Sequence, residues 1–140
     1  MIEIKETKPT LEEFKELRDN ADWNIKDKGI SDERAEKSLQ ASPYCVCAYN
    51  DNKIIGMVRI TGDLEMYGYI QDTIVHSDYR GHGIGTKLMS TLLQKVHYLE
   101  GYLLGVCPSK SSVEFYSKFG FIKRPEQPNG FMYLVVKSNA

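Results

Sequence analysis

IQDTIVHSDYRGHGIGTKL, residues 70–88, joins an apolar run to a glycine-rich turn and then to an amphipathic segment. The apolar run at residues 73–75 predicts a strand, and the stripe that begins at Leu88 is typical of a helix. Three glycines leave the backbone N–H groups of the turn uncovered by side chains. The following helix directs the positive end of its dipole at the same turn. The segment therefore predicts an anion-binding site between a strand and a helix.

The spacing of the glycines excludes two common phosphate-binding loops. A Walker A loop requires Lys and then Ser or Thr after its last glycine, whereas Thr86 precedes Lys87 here. A dinucleotide-binding fingerprint requires Gly-x-Gly-x-x-Gly, whereas Gly85 comes one residue too early. The remaining pattern, Arg80-x-x-Gly83-x-Gly85 after a strand, resembles the pyrophosphate-binding motif of the GNAT superfamily of acyl-CoA-dependent N-acyltransferases.

A second motif, VEFYSKFGF at residues 113–121, lies downstream of the glycine turn. It resembles the segment that the same family carries on its last helix, which ends in a Phe-Tyr-x-x-x-Gly-Phe pattern. The resemblance implies a single N-acetyltransferase (GNAT) domain over residues 1–140 with an α/β fold. The fold would be of the α+β type with a mixed central sheet that is mostly antiparallel. The fourth and fifth strands of this sheet would splay apart, and four helices would flank it.

Periodicity along the rest of the chain is consistent with that layout. Thr10 and Glu13 form a capping box at the start of one helix, and Ser31 can cap a second. A third helix follows the glycine turn, and a fourth is predicted at residues 111–119. Strands are predicted at residues 2–6, 44–49, 54–61, 67–75, 102–107 and 131–136, the second to fourth of them as an antiparallel meander.

Composition narrows the classes of partner. A chain of 140 residues with 41% hydrophobic content is long enough for one domain with its own core. A net charge of −1 gives no basic field for nucleic acid or an anionic membrane surface, and we expect neither partner. Because residues 1–5 lack a signal-peptide core, the expected location is cytoplasmic. Cys45 and Cys47 lack the partners that zinc needs, so we expect no metal and predict that they and Cys107 are core residues.

The resemblance implies that acetyl-CoA is the acyl donor. Backbone groups of Ile74 and Val75 would pair with the pantetheine arm and the acyl carbonyl. The residues expected to contact phosphate, mainly through N–H groups, are Arg80, Gly81, His82, Gly83, Ile84, Gly85 and Thr86. The His82 side chain itself is expected to face solvent. Ser109 stands where family members often carry an asparagine that bonds the pantetheine, and a shorter hydroxyl could still reach the arm through water.

Tyr116 aligns with the tyrosine that acts as general acid in the family. A phenol of pKa about 10 can protonate a departing thiolate whose conjugate pKa is about 8.5. The alternative is that Tyr116 only packs against Val113 on a buried helix face. Two motif positions that often hold a Glu or His base correspond to Tyr69 and Gln71, neither of which is a useful base. Asp72 is the nearest carboxylate and our candidate base, although strand alternation directs it to the opposite face unless a bulge re-aims it.

Aromatic residues predict the character of the acceptor pocket. The side chains expected to line it are Trp23, Tyr67, Tyr69, Gln71 and Phe131. Residues 70–75 and 131–132 resemble the aralkylamine acetyltransferase-like subgroup, which favours a small hydrophobic or aromatic primary amine. A proton could leave that amine through water or through Tyr69 as a relay.

Other functions stay open on the sequence alone. A polycationic amine, such as an aminoglycoside or a polyamine, would need an acidic cleft, which Asp63, Glu65 and Asp72 could form. A non-catalytic acyl-CoA-binding or regulatory module could keep the glycine turn without the chemistry, and a phosphate-ligand binder unrelated to CoA is a further alternative. The final strand could pair with a second copy in a homodimer.

Overall fold

A seven-stranded mixed sheet flanked by α-helices forms the part of the chain that the computed structural model describes, residues 1–97, 103–123 and 131–136. The α-helices are α1 (Leu11–Asn20), α2 (Asp32–Ala41), α3 (Ile84–Val96) and α4 (Val113–Ser117). The strands are β1 (Ile2–Lys5), β2 (Tyr44–Asn50), β3 (Lys53–Thr61), β4 (Tyr67–Val75), β5 (Leu103–Val106), β6 (Ile122–Lys123) and β7 (Met132–Val135). The strand order is β1-β2-β3-β4-β5-β7-β6, in which β4 and β5 run parallel and the other neighbours antiparallel. This arrangement confirms the predicted fold class.

The predicted helix caps are present. Thr10 Oγ1 accepts a hydrogen bond from the Glu13 backbone N–H at 3.1 Å, and Glu13 Oε1 accepts one from the Thr10 N–H at 2.9 Å. Ser31 Oγ accepts from the Arg34 N–H at 3.2 Å. These side chains satisfy N–H groups that the first helical turn leaves without an acceptor. None of the helices in the described ranges has the length and apolar character needed to cross a membrane.

The helices cover both faces of the sheet. Phe14 and Leu17 of α1 are buried against one face, together with Met57 of β3. Leu88 of α3 is buried against the other face, together with Val58 of β3. Because neighbouring residues of β3 enter opposite cores, this strand is apolar almost throughout its length. Full burial of side chains of this size contributes about 2 kcal/mol each.

The sheet opens between β4 and β5. The two strands pair from Tyr67 opposite Leu103 to Ile70 opposite Val106, where β5 ends. Strand β4 continues to Val75, so its second half has no pairing with β5 in the described residues. This divergence is the predicted splay, and it creates a cleft in the middle of the sheet.

A β-bulge interrupts β4 at the same place. Met57 of β3 lies opposite Ile74, whereas Arg59, two residues on, lies opposite Gln71. Two residues of β4, positions 72 and 73, therefore oppose a single residue of β3. Asp72 has a φ of 51°, which is uncommon for a residue other than glycine. The bulge turns the strand where the cleft opens.

The C-terminal elements differ in extent from the prediction. The helix expected at residues 111–119 consists of a 3₁₀ turn, Lys110–Ser112, followed by the short α4, and Gly120 then reverses the chain with a φ of 94°. Strand β6 was not predicted, because two residues carry no readable alternation. The strand predicted at residues 102–107 corresponds to β5. The first residue of the prediction, Tyr102, lies outside the described residues.

Candidate active site

A cleft of about 910 Å³ lies where β4 and β5 diverge. It extends from the glycine turn past the second half of β4 to α4 and to the segment after α1. The residues predicted for the site that line it are Trp23, Tyr69, Gln71, Asp72, Ile74, Val75, Arg80, Gly81, Gly83, Ile84, Gly85, Thr86, Ser109 and Tyr116. The predicted site residues outside its lining are Tyr67, His82 and Phe131. Most of the predicted donor, catalytic and acceptor residues thus share one cleft.

The glycine turn presents bare amides to this cleft. Gly81 and Gly83 have φ values of 79° and 77°, and a Cβ atom at either position would meet nothing within 4 Å. Gly83 precedes the first residue of α3, and no side chain of the described residues caps that helix. The Lys87 N–H bonds to the Gly83 carbonyl at 3.1 Å, so the preceding N–H groups of residues 84–86 have no acceptor within the helix. Such a turn can bind a diphosphate.

Two side chains hold the turn in shape. Arg80 Nε donates to the Val75 carbonyl at 3.0 Å, which leaves both terminal guanidinium nitrogens without a hydrogen bond to the described residues. His82 Nδ1 lies 3.1 Å from the Tyr79 carbonyl oxygen and 2.9 Å from that of Arg80. Because a carbonyl only accepts, this ring nitrogen carries the proton. Arg80 therefore offers charge to an anion, whereas the imidazole of His82 is directed back at the backbone.

Tyr116 is packed in the core and also lines the cleft. It is 6% exposed, and its ring makes edge-to-face contacts with Phe115 and Phe121 at centroid distances of 5.1 and 5.8 Å. Burial raises the pKa of the Tyr116 phenol above 10.0, the nearby Tyr69 adds to the rise, and interaction with the Thr73 side chain opposes it. A neutral phenol at physiological pH can donate a proton.

Asp72 is held by two arginines. Its carboxylate accepts from Arg18 Nη1 at 2.5 Å and from Arg59 Nε at 2.7 Å, and its side chain is 6% exposed. Arg59 also donates to Ser42 Oγ at 2.8 Å and to the Ser38 carbonyl at 3.1 Å, which ties β3 and β4 to the end of α2. Each carboxylate oxygen of Asp72 therefore accepts a hydrogen bond from an arginine. The bulge places Asp72 in this structural contact, and the contact disfavours its predicted use as a base.

The part of the cleft that is predicted to take the acceptor combines aromatic and cationic groups. Trp23 is 41% exposed, and its carbonyl accepts from Arg18 Nε at 2.9 Å. Tyr69 stacks on Phe131 with ring centroids 6.1 Å apart and an interplanar angle of 6°, so Phe131 reaches the site through Tyr69. Tyr67 was predicted for this pocket, but it lies in the closed part of the sheet opposite Leu103 and is 53% exposed.

The prediction that all three cysteines are core residues is wrong for Cys107, whose thiol lies at the cleft. Cys45 and Cys47 are buried as expected, whereas Cys107 is exposed because β5 ends one residue earlier, at the cleft. Burial raises the pKa of the Tyr69 phenol, and interaction with the Cys107 thiol raises it further. The described residues hold no cluster of three or more His, Cys, Asp or Glu side chains placed to bind a metal ion.

Gly105 makes room for the aromatic stack. It lies opposite Tyr69 in the sheet, and a Cβ atom at this position would lie 2.3 Å from Cζ of Phe131. This role was not predictable from the sequence, since a glycine within a strand indicates only a bulge or a close approach of another group.

Gly105→Ala should therefore destabilise the protein by about 1–3 kcal/mol, because the added methyl group displaces the Phe131 ring. Chemical denaturation of Gly105→Ala, Phe131→Ala and the double variant measures this. We expect the cost of Gly105→Ala to disappear in the Phe131→Ala background. An equal cost in both backgrounds would show that the strain lies elsewhere.

Comparisons with known proteins agree on the family. A profile of the acetyltransferase (GNAT) family matches residues 7–121. An uncharacterized N-acetyltransferase, ycf52, from Pyropia yezoensis is 30% identical over 83 residues, which are 59% of this chain and 48% of that protein. The chloroplastic GCN5-related N-acetyltransferase 2 of Arabidopsis thaliana is 29% identical over 83 residues, 59% of this chain and 32% of that protein. These matches span about half of the relatives' length or less.

Solved structures show the same fold. A protein of unknown function from meticillin-resistant Staphylococcus aureus, described as a probable acetyltransferase, has a TM-score of 0.81 at 27% identity, with 90% of this chain and 94% of that chain covered. The GNAT family N-acetyltransferase YhbS from Escherichia coli, solved in complex with CoA, has a TM-score of 0.68 at 17% identity, with 96% and 81% covered. With the profile match across most of its length, the chain belongs to the acetyltransferase (GNAT) family.

Proposed function

We propose that this protein transfers an acetyl group from acetyl-CoA to the nitrogen of a primary amine, with Tyr116 as general acid. A small hydrophobic or aromatic amine is the proposed acceptor. The observation that carries the proposal is a single cleft with bare helix N-terminal amides at one end and a buried neutral phenol on its wall. A donor bound by its diphosphate to those amides could extend along the cleft towards the phenol.

The residues of the cleft fit acetyl-CoA. The amides of residues 81–86 and the free guanidinium nitrogens of Arg80 would bind the diphosphate. The second half of β4, which lacks pairing with β5 in the described residues, would offer backbone groups of Ile74 and Val75 to the pantetheine arm. The Ser109 hydroxyl, 2.9 Å from that of Ser112, lies on the same wall. The YhbS neighbour with CoA supports this use of the fold.

The role of Tyr116 follows from its protonation state. Acetyl-CoA supplies an activated thioester, and transfer of its acetyl group releases a thiolate that needs a proton. Tyr116 holds that proton because burial raises its pKa. Thr73 lies beside the phenol because the bulge at Asp72 displaces the strand at this point. The phenol would thus supply the proton that the leaving group requires.

Removal of the proton from the amine needs a separate route. Asp72 is engaged by two guanidinium groups. Tyr69 lines the cleft beside Cys107 and has the phenol that a relay to solvent requires. We therefore propose that this proton leaves through water with Tyr69 as relay.

Charge in the cleft weighs against a polycationic acceptor. Among the described residues, Asp72 is the one carboxylate in the lining, and its oxygens are already paired. The alternative of a non-catalytic acyl-CoA-binding module is weakened by Tyr116, because a module that only binds CoA has no need of a neutral phenol at this position.

Thermal unfolding tests the proposal in its first step. Acetyl-CoA and CoA should each raise the melting temperature, whereas ATP and NAD at the same concentration should not, since only selective binding stabilises the native state. Thiol release from acetyl-CoA is then measured with a panel of arylalkylamines, amino acids and polyamines. Binding of CoA without thiol release would support the non-catalytic alternative. No response to CoA or acetyl-CoA would overturn both functions.

Gly83→Val is expected to weaken acetyl-CoA binding more than tenfold in calorimetric titration. The branched side chain would cover the amides of the turn and disfavour the φ of 77°. Gly29→Val is the matched control, because Gly29 has a φ of 71° and equally open surroundings but lies outside the cleft lining. Both variants should lose similar stability. Retention of acetyl-CoA affinity by Gly83→Val would remove the turn from the binding site.

A further inference from the structure

The charged side chains of the cleft are unevenly distributed. In residues 1–97, 103–123 and 131–136, the lining includes three cationic side chains, Arg18, Lys28 and Arg80, and one acidic side chain, Asp72. Arg80 belongs to the glycine turn, where the phosphates of the donor would neutralise it. Arg18 and Lys28 belong to α1 and to the 3₁₀ turn Lys26–Lys28 that follows it. The surplus positive charge is therefore on the same segment as Trp23.

The acidic side chain does not neutralise this surplus. Asp72 is shared between Arg18 and Arg59, so the three groups together carry one net positive charge. Lys28 adds a second, since it makes no ion pair with the described residues. An acceptor with several ammonium groups would meet repulsion here and would find no free carboxylate.

Arg18 also keeps an unused hydrogen-bond donor. Its Nε donates to the Trp23 carbonyl and its Nη1 to Asp72, whereas Nη2 makes no hydrogen bond to the described residues. The Arg18 side chain is 13% exposed, and its Cζ lies 5.5 Å from the centroid of the Phe14 ring. These contacts and the two hydrogen bonds fix the conformation of the side chain. A planar guanidinium held in this way is well suited to bind a carboxylate.

The acidic residues of the same segment do not change this balance. Asp19, Asp22 and Asp27 lie outside the lining of the cleft. Asp19 accepts a hydrogen bond from Asn24 Nδ2 at 2.7 Å, which directs it at its own loop. The face that an acceptor would meet therefore combines Trp23 with two cations.

We infer that the acceptor carries an anionic group, such as a carboxylate, on the same molecule as its primary amine and its apolar part. Arg18 and Lys28 would bind the anionic group, and Trp23 would contact the apolar part. The inference rests on the proposed acetyl transfer and narrows its substrates from aromatic amines in general to those that are also acids, a class that includes aromatic amino acids.

Matched acceptors test the inference. Tryptophan, tryptophan amide and tryptamine share an indole and a primary amine, but only the first carries a carboxylate. With the full chain and saturating acetyl-CoA, kcat/KM from thiol release should be at least fivefold higher for tryptophan than for either analogue without a carboxylate, mainly through KM. Spermidine should be the poorest acceptor. A preference for tryptamine or spermidine would overturn the inference.

Lys28→Met separates the effect of charge from differences in amine basicity. The ratio of kcat/KM for tryptophan to that for tryptamine should fall about fivefold, the size expected for one exposed ion pair. Lys28→Arg should restore the ratio. Lys26→Met removes an exposed lysine from the same turn but outside the cleft lining, and it should leave the ratio unchanged.

The outcomes separate this inference from the proposed function. Thiol release with tryptamine but not with tryptophan would overturn the inference and support acetyl transfer. An unchanged ratio in Lys28→Met would remove Lys28 from the acceptor site. Failure of every amine and amino acid to release thiol, although acetyl-CoA binds, would overturn the proposed function and the inference together.

Discussion

Tyr116→Phe is expected to lower kcat for acetyl transfer about a hundredfold while the KM for acetyl-CoA changes little. The variant removes the hydroxyl group of a residue that lines the cleft and keeps the ring that packs against Phe115 and Phe121. Without the phenol, the departing thiolate would take its proton from water. Steady-state thiol release and calorimetric titration of acetyl-CoA measure the two quantities separately.

Tyr49→Phe is a matched control for the loss of one buried tyrosine hydroxyl. Tyr49 is 8% exposed and donates to Glu13 Oε1 at 3.1 Å, on the face of the sheet that α1 covers. It should lose some stability and keep its kcat. A wild-type kcat in Tyr116→Phe, with Tyr49→Phe equally active, would show that another group or water protonates the thiolate.

The pH profile gives an independent readout of the same group. A general acid works in its protonated form, and burial raises the pKa of Tyr116 above 10.0, so its protonated range extends upwards. Deprotonation of Tyr116 should therefore cause no fall in kcat up to about pH 10. If kcat falls on the alkaline side below about pH 9 and that fall disappears in Tyr116→Phe, the phenol titrates lower than its burial indicates.

Local patterns in the sequence were sufficient to predict the parts of the site that depend on local geometry. The glycine turn was predictable because backbone conformation and helix polarity are set by neighbouring residues. The capping box at Thr10 and the position of Tyr116 on the last helix follow from short motifs in the same way. The mixed sheet and its splay followed from the resemblance that these motifs carry.

Contacts between distant residues could not be predicted in this way. Arg18 and Asp72 are 54 positions apart in sequence, and nothing in either neighbourhood indicates that they meet. The bulge that places Asp72 there depends on the register between β3 and β4, which alternation within one strand does not define. The space that Gly105 leaves for Phe131 likewise arises only when β5 and β7 lie side by side.

Asp72→Ala is expected to destabilise the fold by about 3–5 kcal/mol, a large share of the stability of a domain of this size. The substitution leaves the guanidinium groups of Arg18 and Arg59 close together and mostly buried, with no negative charge between them. It also places alanine at a φ of 51°, where an L-residue is strained. Urea denaturation followed by circular dichroism measures the loss.

Two further variants separate the causes of that loss. Asp72→Asn keeps an oxygen acceptor and a residue type that tolerates positive φ, so its loss should be smaller and should report mainly the missing charge. Glu33→Ala removes a carboxylate from an ion pair with Lys37, in which the side chains of Glu33 and Lys37 are 78% and 77% exposed. This variant should lose several-fold less free energy of unfolding than Asp72→Ala.

Activity of Asp72→Asn distinguishes a positioning residue from a catalytic base. If Asp72 holds α1 and the bulge in place, Asp72→Asn should raise the KM for the acceptor amine, because it weakens the contact that positions Arg18 and, through Arg18, Trp23. In that case kcat should fall by less than about tenfold. If Asp72 is the base, kcat should fall about a hundredfold or more at unchanged KM, and the fall should lessen at high pH, where the free amine is already deprotonated. The two guanidinium contacts of the carboxylate favour the first result.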